Sequence, residues 1–206
     1  MKRFSALLLL FGLLMLMGAN PVSAAITGTN PPPKFEFPML LSNAGQGPDG
    51  KGTRTILTFN PTSKVALRYE TDYFYNAEPQ PADIAKYKTI VFAISSTAKG
   101  LGASGITIED EIARLKKVVA EAKRLKIKIV ALVLNGKDNR GLPGSANEQS
   151  IDAIAPFADY IIVRKDGDYD GKFKSLADKN KVPLTYFDKE TAMTDVPALF
   201  TAMFSK

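Results

Sequence analysis

Four stretches of the sequence gather the residues that could hold a small molecule: Asn43 to Gly50, Ser95 to Gly105, Asn135 to Gly144 and Arg164 to Gly171. Each is polar, contains glycine and follows a short apolar run. In open α/β sheets that is where ligands bind, outside the carboxyl ends of the strands. The second stretch is the most informative. Ser95, Ser96 and Thr97 supply hydroxyls and Lys99 a charge, while Gly100, Gly102 and Gly105 allow backbone N–H groups to come close to an anion. These glycines have the G-x-G-x-x-G spacing, but several residues separate the apolar run from Gly100, and the Gly-Lys-Ser/Thr order of a Walker loop is missing. A flexible turn with solvated hydroxyls is the competing reading.

The other stretches add weaker candidates. Asn43, Gln46 and Asp49 line the exit of the first strand, where Asx or helix-capping roles compete with ligand contact. Asn135 and Arg140 stand beside Lys137 in the third loop, and the Arg140 guanidinium could clamp a carboxylate or phosphate with two parallel hydrogen bonds. Asp166, Asp168 and Asp170 alternate as in a calcium loop. The twelfth position counted from Asp166 is Ala177 rather than a bidentate Glu, so turn or helix capping is favoured over metal.

Composition removes whole classes of chemistry. There is no Cys, so disulfides, thiolate metal sites and Cys nucleophiles are out, and no His, so a Ser-His-Asp triad and an imidazole base are out. No cofactor or metal is expected. The cationic excess is mild and scattered along the chain, which argues against a nucleic-acid partner.

The elements that must position these loops alternate between short apolar runs and amphipathic stretches, the pattern of βαβ units. Strands are expected at Met39–Ser42, Val65–Tyr69, Thr89–Ile94, Ile127–Leu134, Asp159–Val163 and Leu184–Phe187. Helices are expected at 81–86, 107–126, 146–154, 172–180 and 196–204, with Thr53–Asn60 ambiguous between strand and helix. The helix from Thr107 has the clearest signature, with a capping-box pair in Thr107 and Asp110, acids in its first turn and Lys123, Arg124 and Lys126 at its end. The fold class read from this order is α/β, a single doubly wound, mostly parallel sheet with helices on both faces, Rossmann-like or flavodoxin-like.

Ahead of the domain, Lys2 and Arg3 precede an apolar run from Phe4 to Met17, and small residues up to Ala24 complete the layout of a signal peptide. The apolar run is short of the roughly 20 residues that a permanent membrane span needs. The expected organisation is a signal peptide at 1–24, cleaved near Ala24, a Pro/Gly/Thr-rich tether at 25–37 and an α/β domain at 38–206, in a periplasmic or secreted protein without stable membrane insertion after cleavage. Cleavage leaves 182 residues, enough for one domain with a sizeable core.

The passages Gly45-Gln46-Gly47-Pro48-Asp49, Lys99-Gly100-Leu101-Gly102-Ala103, Glu111-Ile112-Ala113-Arg114, Asn139-Arg140-Gly141 and Ala158-Asp159-Tyr160-Ile161-Ile162-Val163 together resemble a family of exported bacterial proteins known only as a domain of unknown function. The resemblance spans roughly Pro38 to Phe204 and implies a Rossmann-like exported domain with no established activity. It also implies Ser in place of Gly47, a Gly pair in place of Asn135-Gly136 and an Arg pair in place of Asn139-Arg140. This chain therefore lacks one hydroxyl and one cation of that pattern.

The function expected from the sequence is non-catalytic binding of a small polar or anionic ligand in a cleft at the strand ends. The candidate residues are Asn43, Gln46, Asp49, Ser95, Ser96, Thr97, Lys99, Gly100, Asn135 and Arg140. Two alternatives stand beside it. One is docking of another envelope protein. The other is a hydrolase or transferase using Asp49 as base, with Ser95, Ser96 or Lys99 as nucleophile or oxyanion support.

Overall fold

The computed structural model describes residues 25–58 and 67–204. The expected signal peptide, the end of the ambiguous segment at Phe59–Asn60 and the start of the expected second strand at Val65–Ala66 lie outside the described residues. Strands β1 (Thr27–Gly28), β2 (Met39–Ala44), β3 (Tyr73–Tyr75), β4 (Thr89–Ile94), β5 (Lys128–Val133), β6 (Tyr160–Arg164) and β7 (Leu184–Phe187) form a single sheet in the order β1-β7-β6-β5-β4-β2-β3. All neighbours are parallel except β1, which runs antiparallel along β7. The protein is thus a doubly wound α/β domain. β2, β4 and the whole of β5 beyond Lys128 are buried, as continuous apolar runs must be when both faces of a parallel sheet are covered.

Helices α1 (Asp49–Thr58) and α7 (Ala192–Phe204) cover one face; α3 (Ile108–Arg124), α5 (Ala146–Ile154) and α6 (Lys172–Asn180) cover the other. Alternation along the strands feeds the two cores: Ile90, Phe92 and Ile94 of β4 join α3, while Val91 and Ala93 join α1 and α7. Two short helices, α2 (Ala98–Ser104) and α4 (Lys137–Arg140), lie within stretches that read as loops. Thr97 explains the first of them, since its hydroxyl accepts the Gly100 N–H at 2.9 Å and caps α2.

One open reading is settled and two expectations are corrected. Thr53–Asn60 reads both ways in sequence and is helical as far as Thr58, because a right-handed crossover from β2 needs a helix there. The second strand is Tyr73–Tyr75 rather than Val65–Tyr69. Arg68 to Asp72 instead form a turn, closed by the Arg68–Asp72 pair and by Glu70 at positive φ, and Tyr69 retains a lone bridge to Tyr73. The stretch expected to be a tether is docked on the domain. Its β1 extends the sheet, Thr29 N–H donates to Leu184 O, and Phe37 stacks on Phe204 with centroids 4.8 Å apart. Polyproline-rich composition suits a linker, but Ile26, Phe35 and Phe37 give this one an apolar side to bury.

Candidate functional site

The parallel strands reverse their order of addition between β2 and β4. From there the loop after β2 climbs to α1 on one face, and the loop after β4 leads through α2 to α3 on the other. Doubly wound folds bind ligands in the crevice outside such a switch point; here the two loops touch across it, Gly47 N–H donating to Ser95 O at 2.7 Å and Gln46 bridging Ser96.

Asp49 stands at this switch point as the first residue of α1. Its N–H donates to Ser95 Oγ at 3.2 Å, and its carboxylate Oδ2 accepts from Asn135 Nδ2 at 3.2 Å. Partial burial is the main influence on the carboxyl and pushes its pKa up to about 6, against the opposing pull of the Ser95 hydroxyl and the Arg164 charge. Asn135, at the end of β5, also reaches Ile94 O at 3.4 Å. Ser96 N–H donates to Asn147 Oδ1 at 2.9 Å, while its Oγ is buried without a hydrogen-bond partner. Asp49, Ser95 and Asn135 therefore form one polar cluster drawn from the ends of β2, β4 and β5, while Ser96 turns toward α5.

The remaining candidates have other employment. Asn43 Oδ1 accepts from the Tyr75 hydroxyl at 3.3 Å. Gln46, at φ 59°, donates from Nε2 to Glu111 and accepts from Ser104. Gly100 is required by packing, since a Cβ there would collide with the Gln46 carbonyl oxygen; a Cβ on Gly47 would likewise strike Ser95 Oγ. Lys99 is exposed on α2. Arg140 is fully buried, and its five N–H donors are all used: Nε on Glu148, Nη1 on Gly167 O and Asp170, Nη2 on Glu148 and Asp170. Asn43, Lys99 and Arg140 do lie at one rim of the sheet, but Arg140 braces the loops after β5 and β6 and has no donor left for a ligand.

The aspartates of the fourth loop are dispersed in the same way. Asp166 pairs with Arg164 at 2.6 Å, Asp168 caps α6 through the N–H groups of Phe173 and Lys174, and Asp170 belongs to Arg140. Among the described residues no group of three or more acidic side chains is placed to hold a metal ion.

One device at this rim escapes a reading of the sequence. Glu111, which belongs by position to the first-turn acids of α3, is fully buried; it accepts from Gly45 N–H at 2.9 Å and is paired with Arg114 at 2.7 Å. Burial alone would raise its carboxyl, yet Arg114, Gly45 and Gln46 hold it below the usual range. Arg114 goes on to donate to Pro79 O and Asn43 O, so the pair pins the loop after β2 to α3. The i, i+3 spacing is the available signal, but it looks the same on a solvated helix face.

A family model described as a domain of unknown function (DUF6305) matches residues 36–204. The chain belongs to that family. The match runs from the last residues of the docked 25–37 strap to the end of α7 and so takes in every element around Asp49. No curated protein and no solved structure matches the chain. Membership in DUF6305 thus brings a shared sequence pattern but no activity to transfer.

Proposed function

We propose that this DUF6305 protein is an exported, non-catalytic binding domain that takes a small polar ligand in the β2/β4 crevice, with Asp49 as its principal acceptor. The observation that carries this reading is Asp49 itself. A carboxyl group held half-buried at a strand switch point, at a cost to the fold, marks a binding position better than a structural one. Asn135 offers a further hydrogen-bonding group beside it. The negative charge of Asp49 and the commitment of Arg140 favour hydroxyl or ammonium donors over the anion that the sequence left open. Ser95 Oγ lies beneath Gly47 and accepts from Asp49 N–H, a loop-fastening position rather than that of an exposed nucleophile. Export rests on the leader-like first 24 residues; no helix of the described residues is long and apolar enough to cross a membrane.

Thermal-shift screening of the purified protein against polyols, sugars and amines at pH 7.5 tests the reading. Stabilisation by one of these classes is expected, and it should disappear in Asp49→Asn. Stabilisation by none of them, or stabilisation unchanged in Asp49→Asn, defeats the proposal.

A second reading, docking of an envelope protein, is favoured by the exposed Leu142, Tyr169 and Met193, which follow β5, β6 and β7 respectively at the same rim. Cross-linking in an envelope extract that is lost on Leu142→Ser and Tyr169→Ser, with small-ligand response intact, separates the two.

A further inference from the structure

Four of the lysines that look scattered in sequence are gathered in space. At the amino ends of the strands, opposite Asp49, a groove of about 390 Å³ opens between the strap, the turn before β4 and the turn joining α3 to β5. Lys34, Lys88, Lys126 and Lys128 line it, with Glu36 as the acid among the lining residues, and Tyr87 and Leu125 provide apolar surface. Lys128 is paired with Asp159 and Lys34 donates to Ala202 O. Lys88 and Lys126 are exposed and belong to no ion pair among the described residues.

Lysines are common where helices end, because they complement the helix dipole, and Lys123 and Arg124 in the last turn of α3 have that explanation. Lys126 is different. It follows α3 at φ 58°, in a closing motif where Lys126 N–H bonds to Lys123 O and Ile127 N–H to Ala122 O. Glycine is the usual residue at that left-handed position. The chain keeps a long cationic side chain there, as it does at Lys181 after α6, and that of Lys126 lines the groove. The volume is that of a small-molecule site, and a cationic rim over apolar walls complements a molecule with an anionic head and a short apolar body.

The geometry points to a second binding site in this groove, for a small amphiphilic anion such as an alkyl phosphate or carboxylate, independent of the Asp49 crevice. Lys88 and Lys126 hold the head, and Tyr87 and Leu125 receive the apolar part.

Calorimetric titration of the purified protein with hexyl phosphate, inorganic phosphate and hexyl glucoside tests it. Hexyl phosphate is expected to bind at least tenfold more tightly than either of the others. The double variant Lys88→Gln/Lys126→Gln should lose at least tenfold in affinity, whereas Asp49→Asn should bind as the parent does. Amide chemical-shift changes on adding hexyl phosphate should centre on Leu125 to Lys128. The proposal falls if hexyl phosphate does not bind, if the double variant binds it equally well, if inorganic phosphate binds as tightly, or if the shifts centre on the Asp49 rim.

Discussion

Asp49 is the residue whose chemistry can be followed most directly. In the unfolded chain its carboxyl would titrate near 3.8, and in the folded protein near 6. Between those values the native state holds a proton that the unfolded state has released, so the destabilisation from this group is absent below pH 3.8, grows as pH rises and is complete above pH 6. The shift corresponds to no more than about 3 kcal/mol. Asp49→Asn is therefore expected to stabilise the protein at pH 7.5 by roughly 1 to 2 kcal/mol, read as a higher urea midpoint, and to leave the midpoint unchanged near pH 3.5. A more stable protein that no longer responds to ligand would show stability given up for binding. Arg140 should behave in the opposite way. Arg140→Ala empties a fully buried position and removes five hydrogen bonds, although Glu148 keeps Lys172 and Asp170 is partly solvated, so it should cost about 3 kcal/mol, read as a lower urea midpoint at neutral pH, without altering selectivity among polar ligands.

The ends of α3 carry two effects of opposite sign. At its start Thr107 Oγ1 accepts the Asp110 N–H at 3.1 Å and Asp110 reaches back to the Thr107 N–H at 3.0 Å; Thr107→Ala should cost about 1 kcal/mol. At its end Lys126→Gly should stabilise by up to about 1 kcal/mol, because glycine enters the left-handed region without a Cβ penalty. Denaturant titration of the two variants checks both signs. At this scale much was legible in advance. The Thr107 capping box, α6 over Lys172–Asn180 and β7 over Leu184–Phe187 have the bounds or partners that local pattern suggested, because caps and apolar periodicity are local. Tyr73–Tyr75 was not legible, since three aromatic residues become a strand through pairing with β2, a contact across more than thirty residues. The site divides in the same way. Asp49 and Asn135 could be named from loop composition, but the commitments of Asn43, Gln46 and Arg140 depend on Tyr75, Glu111, Glu148 and Asp170, partners that only folding selects.

Taken as a whole, the molecule has two unlike ends joined by one sheet. The carboxyl ends of the strands carry the buried ion pairs Glu111–Arg114 and Arg140–Glu148 and the half-buried Asp49, while the amino ends carry the lysine groove. The strap closes one side edge. Removing residues 25–37 should bare Phe204, Tyr160 and the outer edge of β7, lowering the melting temperature by several degrees and promoting self-association through the exposed strand edge. Calorimetry together with size-exclusion chromatography of the shortened protein reads both effects.

Because β1 runs against β7, the chain in front of Thr27 meets the domain beside Phe187, at the Asp49 end, whereas α7 carries Phe204 to the lysine end, where Lys34 and Phe35 bond to the carbonyls of Ala202 and Met203. The point of attachment therefore decides which end is displayed. Anchored to a sensor chip through its last residues, the protein turns the crevice toward the flowing solution; anchored through the residues in front of Thr27, it presents the lysines instead.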